Sequence, residues 1–228
     1  MQPLTKTVGI AALILAPISG VAGSQTETNN NAEQQWHQGI LAGYRSLAAE
    51  AGDMSAAAAD YCSTPEQESR DALEQAWLDA FLAWQRVRYV DFGPVESDNL
   101  AWQFQFWPDP KNLIARKASY LLDSEAPVSD EVIAESGVAV QGFPMLEYLL
   151  YDETLNAGNN ALPAEKTCGL LRAVAGHIEA NGKQLSDQWQ AFRKHYLATE
   201  QYRDTTIRAG MAALEILEDR RLAQPMGL

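Results

Sequence analysis

Apolar residues recur at three- and four-residue intervals along almost the whole of this chain, and that spacing makes an all-α bundle its simplest fold. Trp36, Ile40, Leu41, Tyr44, Leu47 and Ala48 make one face of a first helix that continues through the Ala-rich residues 55–59. Leu73, Trp77, Ala80, Trp84 and Val87 follow at near-heptad spacing, the pattern of a bundle seam. Leu170, Leu171, Val174, Ile178, Leu185, Trp189 and Phe192 make a third long stripe, and a last helix is predicted near 205–222. Only Trp102 to Phe106 alternates with period two, which predicts an extended segment lying on the bundle.

Start and stop signals divide these stripes. Thr64 as cap with Pro65 at the first helical position predicts the start of the second helix, inside overlapping SxxE and TxxQ patterns. Phe92-Gly93-Pro94 ends it. Asp109-Pro110 can cap a helix over roughly 113–122, Ser129 opens a short one, and Pro144 opens another over 145–151. Residues 156–160 read as loop, and Pro163 opens the long third stripe. The expectation is one domain over 32–228: four long helices, with short ones in the middle connection.

The first 23 residues read as an export signal. Lys6 is their only charge, Val8 to Ile18 is an apolar run too short to span a bilayer, and Gly20-Val21-Ala22-Gly23 offers small residues for cleavage. Residues 24–31 are polar and read as a flexible tether. An exported chain with two cysteines, Cys62 and Cys168, is expected to pair them in a disulfide, worth about 4–5 kcal/mol in the chain-entropy account of so long a loop. A net charge of −13 argues against nucleic acid and anionic membrane surfaces as partners. A periplasmic, soluble mature protein is the reading.

Few residues carry chemistry. HExxH, ExxH, GxSxG and CxxC patterns are absent, and the three histidines, His37, His177 and His195, read as packed or surface groups. No catalytic residue and no cofactor is assigned. Glu147 stands out as a carboxylate among Met145, Leu146, Tyr148, Leu149 and Leu150. Either it gains about 0.3–1 kcal/mol from the dipole of a helix that begins near Pro144, or it points into a cleft with Trp84, Arg86 or Tyr148 at hand. Arg86 also suits the dipole at the end of its own helix, and Asp109 between two prolines suits a cap.

Trp84-x-Arg86, Phe92-Gly93-Pro94, Phe106-Trp107-Pro108-Asp109, the run from Gly142 to Leu150, and Leu217-Glu218-Asp219-Arg220-Arg221-Leu222 occur in an order that resembles the imelysin-like family. The resemblance implies an exported bacterial protein linked to iron uptake, of a family sometimes described as insulin-cleaving metallopeptidases. It also implies a fold of two helical bundles related by pseudo-symmetry, with a cleft near their junction. The family hallmark is GxHxxE, whose histidine and glutamate are thought to bind metal. Gly142 and Glu147 match its ends, but Pro144 stands at the histidine position. Proline has no ligating nitrogen, so iron or another divalent cation would need ligands the motif does not supply. The chain resembles mainly the first half to two-thirds of the family, which predicts a second bundle incomplete here and an apolar face left uncovered.

Three functional expectations follow. The leading one is a non-enzymatic binding or accessory role in iron or metal uptake, with a small polar ligand, peptide or envelope protein as partner. Its ligand site would comprise Gly142, Pro144, Glu147, Trp84, Arg86, Trp107 and Asp109. The alternatives are a metallopeptidase that uses Glu147, and a structural bundle that docks an envelope partner.

Overall fold

A computed structural model of the chain describes the backbone of residues 22–223 and the side chains of 31–218. The expected signal peptide lies almost wholly outside the described residues. Two long helices, α1 (Ala22–Ser63) and α8 (Glu165–Ala198), run together through the molecule, and α2 (Gln67–Val87) packs on α1. Between α2 and α8 come a 3₁₀ segment (Gly93–Asn99) and five short helices: α3 (Leu100–Phe104), α4 (Leu113–Asp123), α5 (Asp130–Glu135), α6 (Phe143–Tyr151) and α7 (Glu153–Asn156). The last helix is α9 (Glu200–Ala223). Among the described residues there is no strand, and none of the helices is long and apolar enough to cross a membrane.

The three stripes legible in the sequence form the core. Tyr44, Leu47, Met54, Leu73, Trp77, Trp84, Leu171, Val174, Ile178, Leu185 and Trp189 are all buried. α1 and α8 approach closely at Gly182, where a Cβ would lie 3.3 Å from the Ala48 Cα. Cys62 at the end of α1 and Cys168 in the first turn of α8 are joined, as expected, in a disulfide that closes a separation of 106 residues.

Four boundaries differ from expectation. α1 already begins at Ala22, so the predicted tether is continuous with it: once the packed part has nucleated, each added residue gains a hydrogen bond at little cost. α2 opens at Gln67 rather than Pro65, because Glu66 takes the cap position and its N–H donates to Ser69 Oγ at 3.1 Å. α9 opens at Glu200, five residues before the expected start. The predicted extended segment at Trp102–Phe106 is mostly helix. Leu100 and Phe104, four apart, are buried together while Trp102 stays half exposed, so a 3.6 period wins over the alternation.

Candidate functional site

The α6 turn is built by close packing. Gly142 is its N-cap with ordinary extended backbone, and its lack of a side chain matters for space: a Cβ would meet the Phe104 carbonyl oxygen and lie 2.6 Å from that of Gln103. The preceding Gln141 is buried, and its Nε2 lies 2.8–3.1 Å from the carbonyls of Ile133, Ala134 and Ser136 at the end of α5. One side chain thereby satisfies acceptors that a helix terminus leaves open. Phe143, Pro144, Met145 and Leu146 are buried, whereas Glu147 is exposed. Its carboxylate stands one turn before Tyr151, whose phenol is pushed up by burial and then by the Glu74 charge.

The other residues singled out from the sequence lie apart from this turn or serve structure. Trp84 is buried, stacks on Phe104 at 4.7 Å, and donates its indole N–H to Gln105 Oε1 at 2.9 Å. Arg86 is exposed at the end of α2, and Trp107 is 64% exposed. Asp109 accepts the backbone N–H groups of Leu113 and Ile114, both at 2.9 Å, which caps α4 as its flanking prolines suggested. Desolvation would raise its carboxyl, but the hydrogen bonds from Ile114, Leu113 and Lys111 outweigh it and hold the group below the usual range. None of these seven residues lines either of two surface cavities, of about 910 and 480 Å³.

The larger cavity is a groove of about 910 Å³ between α1, α5 and α8. Gly169, Ala173, Gly176 and Ala180 give it a low floor on α8, and Asp130, Glu131, Arg172, Glu179, Lys183 and His177 supply charge and polarity around it. His177 is held from behind. Gln103 donates its Nε2 to the Asp98 carbonyl at 2.8 Å, which turns its Oε1 toward His177 Nε2 at 3.0 Å and Asn181 Nδ2 at 3.0 Å. Asn181 Nδ2 also lies 3.1 Å from His177 Nε2, so Gln103 and Asn181 together hold that ring nitrogen, which donates to the one or accepts from the other according to its tautomer. Burial holds this imidazole below its ordinary value, while the Asp130 carboxylate acts in the opposite direction.

Lys183 is paired with Glu179 at 2.5 Å, whereas Arg172 has no carboxylate partner among the described residues. Its Nε reaches only the Cys168 carbonyl, at 3.4 Å. The groove therefore presents an uncommitted guanidinium on one helix and the exposed carboxylates of Asp130 and Glu131 on another. Sequence reasoning passed over this set. The available signal was His177 and Asn181, a polar pair four apart inside the apolar stripe of α8.

A metal ion at the α6 motif does not fit the residues present. Pro144 offers no donor, Glu147 is turned to solvent, and His37, His177 and His195 are engaged with Trp189, Gln103 and the Phe192–Tyr202 rings respectively. Among the described residues no three His, Cys, Asp or Glu side chains are grouped to hold one.

The imelysin family model matches residues 40–228. Among solved structures, the fold is similar to that of an imelysin-like protein from Psychrobacter arcticum 273-4, with a TM-score of 0.73 and 19% sequence identity. The alignment covers 90% of this chain and 63% of that one, so the chain spans less than two-thirds of its relative's length. No curated protein matches the chain.

Proposed function

Since the chain belongs to the imelysin family, we propose that it is an exported binding protein, an accessory of bacterial iron or metal uptake that works without catalysis. Its ligand site is the groove between α1, α5 and α8. The observation that supports this reading is the juxtaposition, around one groove, of an uncommitted Arg172 and the carboxylates of Asp130 and Glu131, beside a His177 held by Gln103 and Asn181.

A small polar molecule or peptide end with both an anionic and a donor group matches that pattern. Its carboxylate can take two parallel hydrogen bonds from Arg172. An amine or hydroxyl can donate to Asp130 or Glu131, and the low glycine and alanine floor leaves room for backbone-like atoms. A paired disulfide fits an oxidising compartment and hence export. The link to iron or metal uptake rests on family resemblance, and no step through a metal ion is derived.

Titration calorimetry with di- and tripeptides that carry free carboxylates tests the site. Arg172→Ala should weaken binding roughly tenfold or more, as loss of a bidentate charge-assisted contact does. Glu147→Ala and Arg86→Ala should leave it unchanged. If no peptide binds, or if Glu147→Ala abolishes binding and Arg172→Ala does not, the groove is not the site. Normal growth of a gene-deleted strain under iron limitation would remove the uptake role separately.

A further inference from the structure

Gln103 on α3 faces two ways. Its main-chain carbonyl oxygen lies 2.6 Å from where a Cβ on Gly142 would stand, so the α6 turn is seated against it. Its side chain runs toward α8. Nε2 donates to the Asp98 carbonyl at 2.8 Å, and Oε1 lies 3.0 Å from both His177 Nε2 and Asn181 Nδ2. Asn181 Nδ2 is in turn 3.1 Å from His177 Nε2, so the three side chains close a ring of polar contacts. Asn181 is buried, and α3 is held between the α6 turn and this ring.

These contacts engage one imidazole nitrogen and leave the other open. His177 Nδ1 has no hydrogen-bond partner among the described residues, and it is not one of the buried orphan atoms, which are His37 Nδ1, Tyr44 Oη and Gln188 Oε1. It is therefore accessible, on a side chain that lines the groove. Both neutral tautomers satisfy the contacts behind it. When Asn181 gives one hydrogen to Gln103 Oε1 and the other to His177 Nε2, the imidazole proton sits on Nδ1, which donates. When Nε2 donates to Gln103 instead, Nδ1 accepts. His177 can thus answer either kind of ligand group without turning, and a side chain already ordered loses little freedom on binding.

We propose that His177 Nδ1 contacts the ligand of the groove, and that Gln103 is its positioning residue, tied through α3 to the Gly142 turn. The contact rests on the groove being the binding site; the positioning does not. A change at Gly142 then reaches the groove without touching it, because a displaced Gln103 carbonyl carries its side chain along.

Nuclear magnetic resonance of the oxidised protein with isotope-labelled histidine tests the positioning with no ligand present. His177→Leu identifies the His177 ring-nitrogen resonances. Gln103→Leu should shift them and leave those of His37 and His195 in place. Gly142→Ala should shift the same resonances, and Gly137→Ala, whose Cβ meets nothing, should not. Calorimetry with the tightest-binding di- or tripeptide tests the contact. His177→Leu should weaken binding roughly three- to tenfold, as loss of one hydrogen bond does. Gln103→Leu should do nearly the same, and the double variant should bind no more weakly than His177→Leu alone. Losses that add, or His177 resonances indifferent to Gln103→Leu, overturn the positioning. Resonances that ignore Gly142→Ala overturn the tie to the turn. Peptide binding that needs Arg172 but not His177 overturns the contact. If no peptide binds the unaltered protein, the groove reading itself fails and the contact with it, while the resonances still decide the positioning.

Discussion

His37 on α1 and Trp189 on α8 each donate a hydrogen bond to the other's backbone carbonyl. His37 Nε2 reaches the Trp189 oxygen at 3.0 Å, and the Trp189 indole N–H reaches the His37 oxygen at 3.2 Å. Their rings stack at 5.4 Å with 14° between planes. Because a carbonyl only accepts, the His37 proton is on Nε2, which leaves Nδ1 buried with no partner. A second proton there would be a charge in an apolar, aromatic setting.

This fixes a pH dependence. Burial holds His37 below the ordinary imidazole value, with the Trp189 carbonyl opposing and Arg193 reinforcing that shift, and burial lowers His177 as well. Unfolded histidines titrate near about 6.5, so below that pH the unfolded chain binds protons that the native chain refuses. Stability should be full above that point and fall as the pH drops from 7 to 5. The depressed carboxylates Asp109 and Glu179 act only below the ordinary carboxylate range, outside this window. Thermal melts at stepped pH should show the loss, and His37→Gln, which keeps a donor but does not titrate, should flatten it. A melting temperature constant between pH 7 and 5 would show that neither imidazole is held neutral.

Gly142 makes a second prediction, because the atoms its Cβ would strike belong to backbone. Neither the Phe104 nor the Gln103 carbonyl can move aside as a side chain could. Gly142→Ala should therefore cost about 3 kcal/mol, at the upper end of overpacking penalties. Gly137→Ala, where a Cβ meets nothing within 4 Å, is the control and should change little. Urea denaturation compares them. Equal stability of the two variants would mean that α3 and α6 are free to separate.

These residues also show what could be read in advance. The long stripes were legible because burial follows a 3.6-residue period wherever a helix packs along its length, as Leu73, Trp77, Ala80 and Trp84 do. Trp102 to Phe106 misled because five residues are too few to separate two periods when aromatics fall on both faces. Glu147 drew attention through its apolar neighbours. Those neighbours face inward, and the carboxylate occupies the one exposed position in the first turns of α6. The groove was illegible for another reason. Gln103 meets His177 across 74 residues, and Arg172 is joined to Asp130 only through the packing of α5 on α8. Helical spacing reports which face is buried, but does not say which helix will lie against it.

The α6 motif gives the last prediction. Restoring a histidine with Pro144→His would place an imidazole three residues before Glu147, two donors near one face of a helix. Divalent transition ions held by protein take three or four protein ligands, and two weak ones leave the ion mostly hydrated. The other histidines cannot be recruited cheaply: His37 is locked to Trp189, and His177 to Gln103. Pro144 is also buried while Glu147 is exposed, so the new imidazole and the carboxylate would point to different surroundings. Pro144→His should bind zinc no more tightly than the unaltered protein in titration calorimetry, and desalting should leave no stoichiometric metal on either. Stoichiometric zinc retained by Pro144→His and lost again on adding Glu147→Ala would show instead that a complete ligand set surrounds this turn and lacks only its histidine.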